Sequence, residues 1–543
     1  MTPMTLKGSQ DVSNLDETES LRSHPVPVSD SDVSVPYRAD DSKLISSSSE
    51  KSDSNGRGPD PIGWTPMLVL AGIICCFGSA LPAGYNIGVM NNPRKILEKF
   101  CNETVEERYG VKLSPQTLTV LWSVIVSIFL VGGVTGSLGS SALADRLGRR
   151  GALIIGNICG IIGAIMFYLV PILNSLEFLL LGRLMVGFSG GLATSLVPTY
   201  MTETAPINLR GAVGVLCQLG ITCGVLLGQI AGLDSILGTK DLWNYMLAAF
   251  APLSGIAAIL TLVLPESPKY LYVIKEDREN GLKALSLLRN TGINHLEGEI
   301  DGLEIELSSK CSSDTWTIAT VLQDPTLRLP VLLVSCLQLG QQLSGVNALF
   351  FYSQLIFEKA KLDNKTSQYA TLGTGLINIL MAVISVKIMS LFRRRLLLFT
   401  SCLSTIACLV ILCASIALID LPGMEWVCIV AVQAFVLFYG IGLGPIPYFI
   451  GSELFDAGPR SSAMSIGSVC NWGGNFMVAM TFPLLNEIIK SYSFLVFAAC
   501  LLFVVLFCRK YLPETHGRTT NEIAAEMSDR LRSRPNGTSA HLS

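Results

Sequence analysis

The chain has 543 residues, half of them hydrophobic and only 15 % charged, with a net charge of −3. That balance is too apolar for one soluble domain and offers no basic surface for nucleic acid. The fifteen Cys are scattered, mostly inside apolar runs, with no paired spacing that suggests zinc or a disulfide framework; no metal or cofactor is expected.

Residues 1–62 hold fourteen Ser and little that is apolar, and read as a disordered cytoplasmic tail open to phosphorylation. No cleavable signal peptide is expected, because the first apolar run starts near Trp64. A bilayer crossing takes about 20 apolar residues. Six such runs lie near 64–90, 117–141, 151–171, 176–200, 208–232 and 243–264. Six more lie near 328–357, 368–391, 396–419, 425–450, 462–485 and 492–511. The expected fold is an all-α membrane protein with twelve transmembrane helices in two six-helix halves, 63–264 and 326–512. Between them, 265–325 is charged. Leu282, Leu285 and Leu288 keep helical spacing there and predict small helices lying under the membrane domain. Residues 513–543 form a second cytoplasmic tail.

An even helix count puts both tails on one side. Lys and Arg favour that side as cytoplasmic only weakly, 14 against 10. The sequon Asn102-Glu103-Thr104 in the long first loop, and Asn364-Lys365-Thr366 on the same face, also favour tails inside. Asn102 is the expected glycosylation site; Asn364 sits close to the membrane.

Three marks recur at nearly one offset. Glu203 and Arg210 follow the fourth run, and Glu453 and Arg460 follow the tenth, 250 residues on. Pro265-Glu266-Ser267-Pro268 closes the sixth run and Pro513-Glu514-Thr515-His516 the twelfth, 248 residues on. Asp145 to Arg150 follows the second run, and Arg393-Arg394-Arg395 the eighth. This is a duplicated six-helix unit with a site expected between the copies. The charged marks predict a cytoplasmic gate. Arg149, Arg150 and Arg210 are expected to pair with Glu203 and Glu266, and Arg394, Arg395 and Arg460 with Glu453 and Glu514. Such pairs would hold inner helix ends together while the outer side is open, and part when the inner side opens. Pairs of about 0–1 kcal/mol each bias two states without locking either.

Residues 338–352 read QLGQQLSGVNALFFY and place Gln338, Gln341, Gln342, Ser344 and Asn347 at membrane depth. Amides there need partners. They act either as glue between helices or as donors and acceptors around a cavity for a polar, uncharged solute. The density of the cluster favours the cavity.

These marks together make the chain resemble a sugar porter of the major facilitator superfamily, and specifically the animal facilitative glucose transporters. The resemblance covers about 64–527. It rests on Gly84-Tyr85-Asn86, Asp145 to Arg150, Gly182-Arg183, Glu203 to Arg210, Pro265 to Lys269, Gln341 to Asn347, Gly444-Pro445-Ile446-Pro447 and Pro513 to Arg518. It implies sugar contacts at Gln218, Gln341, Gln342, Asn347 and Asn378, with Asn471 and Tyr448 as further contacts. It implies a plasma-membrane location and a single chain sufficient for transport, with a sugar and the bilayer as partners. The chain departs from the family at Gly440, where the glucose carriers have Glu, and at Tyr448, where they have Trp. The family pattern of Glu, then Gly-Arg-Arg, also appears here as Ser390 followed by Phe392-Arg393-Arg394-Arg395, so the second-half latch loses an acid and a glycine.

The expected mechanism is facilitative uniport of a hexose, glucose foremost, by alternating access, with Pro445 and Pro447 breaking the tenth helix so that it bends. A proton symporter is the nearest alternative. Proton coupling needs a titratable group in the pathway, but 64–90 contains no charged side chain and the position of the coupling Asp is Asn86. A sugar sensor that binds without transporting is the other. No enzyme is expected: there is no phosphate-binding loop and no metal-spaced His or Cys set.

Overall fold

The computed structural model describes residues 63–527, apart from 92, 207–208, 313–316, 456, 517 and 519–521. The Ser-rich tail and the last sixteen residues lie outside the described residues.

α1 (Pro66–Gly88) starts at Thr65, whose hydroxyl accepts from Leu68 N–H and caps the first turn, and it carries a π-helical stretch, Ile74–Ala80. α2 (Arg94–Tyr109) lies outside the spans and is strongly polar. α3 (Pro115–Leu173) has 59 residues, twice what a bilayer takes, and breaks at Gly148 (φ 84°). Its two arms pack on one stretch of α4 (Leu176–Thr204): a methyl on Gly132 would lie 2.2 Å from the Leu184 carbonyl oxygen, and one on Gly163 2.6 Å from Val186. The chain therefore doubles back at Gly148, where a methyl would also lie 2.1 Å from Glu266, and α3 supplies two crossings. α5 (Arg210–Ala231) and α6 (Trp243–Thr261) complete the first half.

The linker carries α7 (Arg278–Arg289), α8 (Glu297–Ser312) and α9 (Ile318–Gln323). α7 presses Leu285 and Leu288 inward. It is tied to the first half by Thr65, which donates to the Leu288 carbonyl at 2.6 Å, and by Arg289, which donates to the Thr204 carbonyl at 2.7 Å while pairing with Glu299.

In the second half the seventh run is two helices, α10 (Arg328–Leu343) and α11 (Val346–Lys359), separated at Gly345 (φ 85°). A side chain at Gly345 would be strained and would strike Phe497 at 2.6 Å. α12 (Asn364–Leu391) and α13 (Arg394–Ala417) follow. The tenth run is also two helices, α14 (Met424–Ile441) and α15 (Ile446–Leu454), as Pro445 and Pro447 predict. α16 (Ala457–Ile488) and α17 (Ser493–Tyr511) close the bundle. Nine helices among the described residues are long and apolar enough to cross a membrane. The return of α3, with α5 and α16, brings the crossings to twelve, in two six-helix halves.

The face that bears α2 is called outer and the face that bears the linker inner. At the outer face the halves are bonded to each other. Asn91 donates to the Phe350 carbonyl at 3.1 Å and accepts from Gln354 N–H. Thr119 donates to Glu487 at 2.6 Å, Asn364 donates to Asp234 at 2.6 Å, and Lys95 pairs with Glu358 at 2.9 Å. One buried apolar cluster crosses from half to half, whereas the inner end of the first half packs on a separate core that includes Leu68, Tyr200 and Leu264. The outer face is closed.

Candidate functional site

The site is assembled where two broken helices face each other. Pro447 has no N–H, so the Leu443 carbonyl, four residues earlier, lacks its helical donor. The break at 442–445 opens Gly444 as well. Gln341 Nε2 meets both, at 3.2 Å to Leu443 and 2.6 Å to Gly444. Gln338 Nε2 donates to the Pro447 carbonyl at 2.9 Å. Asn471 of α16 donates to Gln338 Oε1 and Gln341 Oε1, both at 2.8 Å. Gln342 donates to Gln341 Oε1 at 3.2 Å, and Asn347 donates to Gln342 Oε1. Five amides from α10, α11 and α16 thus form one uncharged network tied to α14 and α15.

Gln341 is fully buried, and Gln338, Gln342 and Asn471 are nearly so. Their amides are spent on neighbours, which is the glue role for Gln338 and most of Gln341. Other predicted contacts are open. Tyr448 is 52 % exposed although it sits mid-bundle, next to Asn471 and Cys217. Gln218 is exposed. Gly220 and Gly224 of the same helix turn to α1, where a methyl would lie 2.5 Å from the Cys76 carbonyl and 2.1 Å from that of Leu81; Gln218 points the other way, into the bundle. Asn378 is half-buried, and its amide makes no hydrogen bond among the described residues. Tyr448 and Gln218 are thus the exposed members of the expected set. The departure at Gly440 has a local cause: α12 runs so near that a methyl there would lie 2.6 Å from Met381 Cβ.

Two features were legible only in part. Arg183 is fully buried and pairs with no carboxylate among the described residues. It donates to the carbonyls of Ile125, Asn86 and Val126 and lies 4.7 Å from the Phe129 ring. Asn86 donates to the Pro82 carbonyl at 2.9 Å, and its Oδ1 is buried with no partner. The outer contacts of Asn91, Thr119 and Glu487 went unforeseen, since their partners lie 259 to 368 residues away and no local pattern marks them.

The charged marks form two matching networks, each inside one half. Arg149 pairs with Glu203 at 2.9 Å, and the N–H groups of Arg149 and Arg150 donate to Glu266 at 2.9 and 3.1 Å. Burial pushes the Glu266 carboxyl above its ordinary range, against the pull of those N–H groups. Arg394 pairs with Glu453 at 3.3 Å, and the N–H groups of Arg394 and Arg395 donate to Glu514 at 2.9 and 3.3 Å. Three expected pairings take another form. The Arg150 guanidinium donates to the Leu264 carbonyl and Arg460 to the Phe455 carbonyl, while Arg210 is exposed and makes no ion pair among the described residues. At the expected glycosylation site, the Asn102 side chain accepts from Leu113 N–H at 3.1 Å.

The family model described as "Sugar (and other) transporter" matches residues 71–527. The chain is 39 % identical over 470 residues to solute carrier family 2, facilitated glucose transporter member 4, of Homo sapiens, covering 85 % of this chain and 91 % of that protein. It is 37 % identical over 459 residues to member 1 of Gallus gallus, covering 84 % and 92 %. Its fold matches the partially occluded inward-open xylose transporter XylE from E. coli with a TM-score of 0.69 at 20 % identity, covering 84 % of this chain and all of that one. It also matches the proton:xylose symporter XylE of the major facilitator superfamily bound to 6-bromo-6-deoxy-D-glucose, with a TM-score of 0.68 at 21 % identity, covering 86 % of this chain and all of that one. At such identity the likeness is one of fold: twelve helices in two halves.

Proposed function

The chain belongs to the sugar transporter family, and from that membership we propose that it carries a hexose, glucose foremost, passively across the plasma membrane by alternating access. The observation that carries this reading is the amide network joining the two broken helices. It offers donors and acceptors with no titratable side chain among them, which suits a neutral polyol and leaves nothing to couple a proton. Gln218, Asn378 and Tyr448 face the open passage. Gln341, Gln342, Asn347 and Asn471 exchange part of their mutual bonding for sugar hydroxyls. Tyr448 lays its ring against the sugar's apolar face.

The breaks at Gly345 and at 442–445 give each half a bendable helix beside the sugar, so the outer contacts part as the inner ends approach. The Arg149–Glu203–Glu266 and Arg394–Glu453–Glu514 networks brace the inner end of each half, so that each moves as a body. Asn102 carries a glycan on the outer face, and both termini lie in the cytoplasm.

Asn86 argues against proton coupling: an amide does not titrate near neutral pH, and Arg183 beside it is held by carbonyls rather than by an acid. The test is uptake of a panel of labelled hexoses into liposomes holding the purified chain. Saturable uptake, competed by unlabelled sugar, is expected. Binding without flux would replace the transporter by a sensor.

A further inference from the structure

Outward of the central site, a second polar cluster lies buried at the seam between the halves. It is built on α11 and α12. Ser353 and Thr371 share a hydrogen bond of 3.1 Å, and Gln354 Nε2 donates to Asn364 Oδ1 at 2.9 Å, so these stretches face each other. Ser367 lies on α12 between Asn364 and Thr371, at helical spacing from both, and is fully buried. Gln368 is next to it. Seven residues further, Gly375 abuts α5 of the other half, so the stripe that holds Gln368 looks across the seam. Asn91, bonded to Gln354 N–H, closes the cluster from α1.

Three polar atoms here have no hydrogen-bond partner: Gln354 Oε1, Ser367 Oγ and Gln368 Nε2. Their residues are only 6 %, 0 % and 5 % exposed. A buried polar atom without a partner destabilises the fold, and most buried polar groups avoid that state. Three on facing stretches of α11 and α12, beside the contacts that join the halves, call for a ligand. A carbonyl oxygen, a hydroxyl and an amide N–H supply acceptors and a donor without charge. The three atoms belong to uncharged groups and fit the hydroxyl groups of a neutral polyol; the nearby Glu358 carboxylate, to which Gln354 Nε2 also donates at 3.3 Å, is already paired with Lys95.

We infer that this cluster is an outer hydroxyl-binding subsite, which holds a sugar while the outer face is open and before it reaches the Gln341–Asn471 network. When the outer face closes behind the sugar, the helices meet and the three atoms are left unpaired. The closed arrangement thereby carries a built-in penalty that favours reopening outward. This rests on the hexose-transport reading above.

In a passive carrier the ratio of entry efficiency to exit efficiency is fixed at equilibrium, so hexose entry rates alone do not report the subsite. An impermeant ligand on the outside does. The experiment uses the full chain in liposomes, maltose added outside as inhibitor of hexose uptake, and thermal melting of the same proteins. The variants are Ser367→Ala and Gln368→Leu. The inhibition constant of maltose is expected to rise about fivefold to tenfold in each, the loss of about one hydrogen bond. The melting temperature is expected to hold or rise, because the variants delete unpaired atoms. Unchanged maltose inhibition in both variants overturns the inference, as does a wild type that takes up hexose but ignores maltose. A fall in melting temperature in both variants also overturns it, since it would make the two side chains structural. If Gln368→Leu fails to fold, Ser367→Ala carries the test. A wild type without hexose uptake defeats the transport reading itself.

Discussion

Gln341 gives Leu443 the hydrogen bond that Pro447 withholds: its amide nitrogen donates to the Leu443 carbonyl at 3.2 Å, with Gly444 at 2.6 Å. A residue at the end of α10 thus completes the backbone at the break before α15. The break of the tenth segment and the amide proposed to meet the sugar are one unit, so loss of the amide is expected to damage both.

Gln341→Leu leaves the buried Leu443 carbonyl and the part-buried Gly444 carbonyl without this donor and is expected to lower stability by about 1–3 kcal/mol. Uptake should fall at least about tenfold. Gln218→Leu removes an exposed amide that makes no hydrogen bond among the described residues, so stability should hold while the half-saturation concentration rises about three- to tenfold, the equivalent of one neutral hydrogen bond. Melting curves beside uptake kinetics check the contrast. Equal stability losses in both variants would contradict the separation of joint from contact.

Asn86→Asp places a carboxyl on the residue whose backbone carbonyl accepts from Arg183 at 2.9 Å. The wild type should take up hexose equally from mildly acid to neutral medium. The variant should acquire pH dependence, because a titratable group then lies in the bundle next to a fixed cation. Uptake by the variant that stays flat with pH would show that residue 86 is remote from the working path.

The two inner braces should differ in strength. Arg149 and Glu203 have side chains 8 % and 11 % exposed at 2.9 Å, against 15 % and 23 % at 3.3 Å for Arg394 and Glu453. Removing one partner of a buried pair costs about 3–5 kcal/mol, and less as water reaches it. Arg149→Ala should therefore destabilise more than Arg394→Ala in matched melting experiments. The reverse order would mean that the second brace is the tighter.

Glu266 carries a sign that can be tested. Burial raises its carboxyl above the ordinary value, so the folded chain holds this proton more tightly than the unfolded chain. Its contribution to stability is present below the ordinary carboxylate range and fades as pH rises through the raised value. The stability of the wild type relative to Glu266→Gln should therefore shrink as pH rises across that window. A relative stability that grows with pH would mean that Arg150 and the backbone N–H groups outweigh burial.

The fold was open to reading because membrane spans leave long apolar runs and a duplicated unit leaves its marks at one offset. The break of the tenth segment was legible for the same kind of reason, since Pro445 and Pro447 act locally. The break at Gly345 was not, because Ser344-Gly345 in an apolar run fits a continuous helix as well; the contact with Phe497, 152 residues on, decides it. Within the site, residue types announced an uncharged polar centre. Which amides bind their neighbours and which face open space depended on helix rotation, so Gln341 turned to a carbonyl while Gln218 stayed free. Of the expected ion pairs, Arg149–Glu203 and Arg394–Glu453 form, whereas Glu266 and Glu514 accept backbone N–H groups of Arg149, Arg150, Arg394 and Arg395 instead. Arg150 and Arg460 donate to nearby backbone carbonyls, which need no second charge, and Arg210 makes no ion pair among the described residues.

The most direct measurement is the final level of labelled glucose inside liposomes holding the full chain, with and without an imposed inward proton gradient. The passive account predicts equal concentrations inside and outside in both cases, reached at the same rate. Accumulation above the outside concentration when protons run inward would contradict it and would require a coupling group in the bundle.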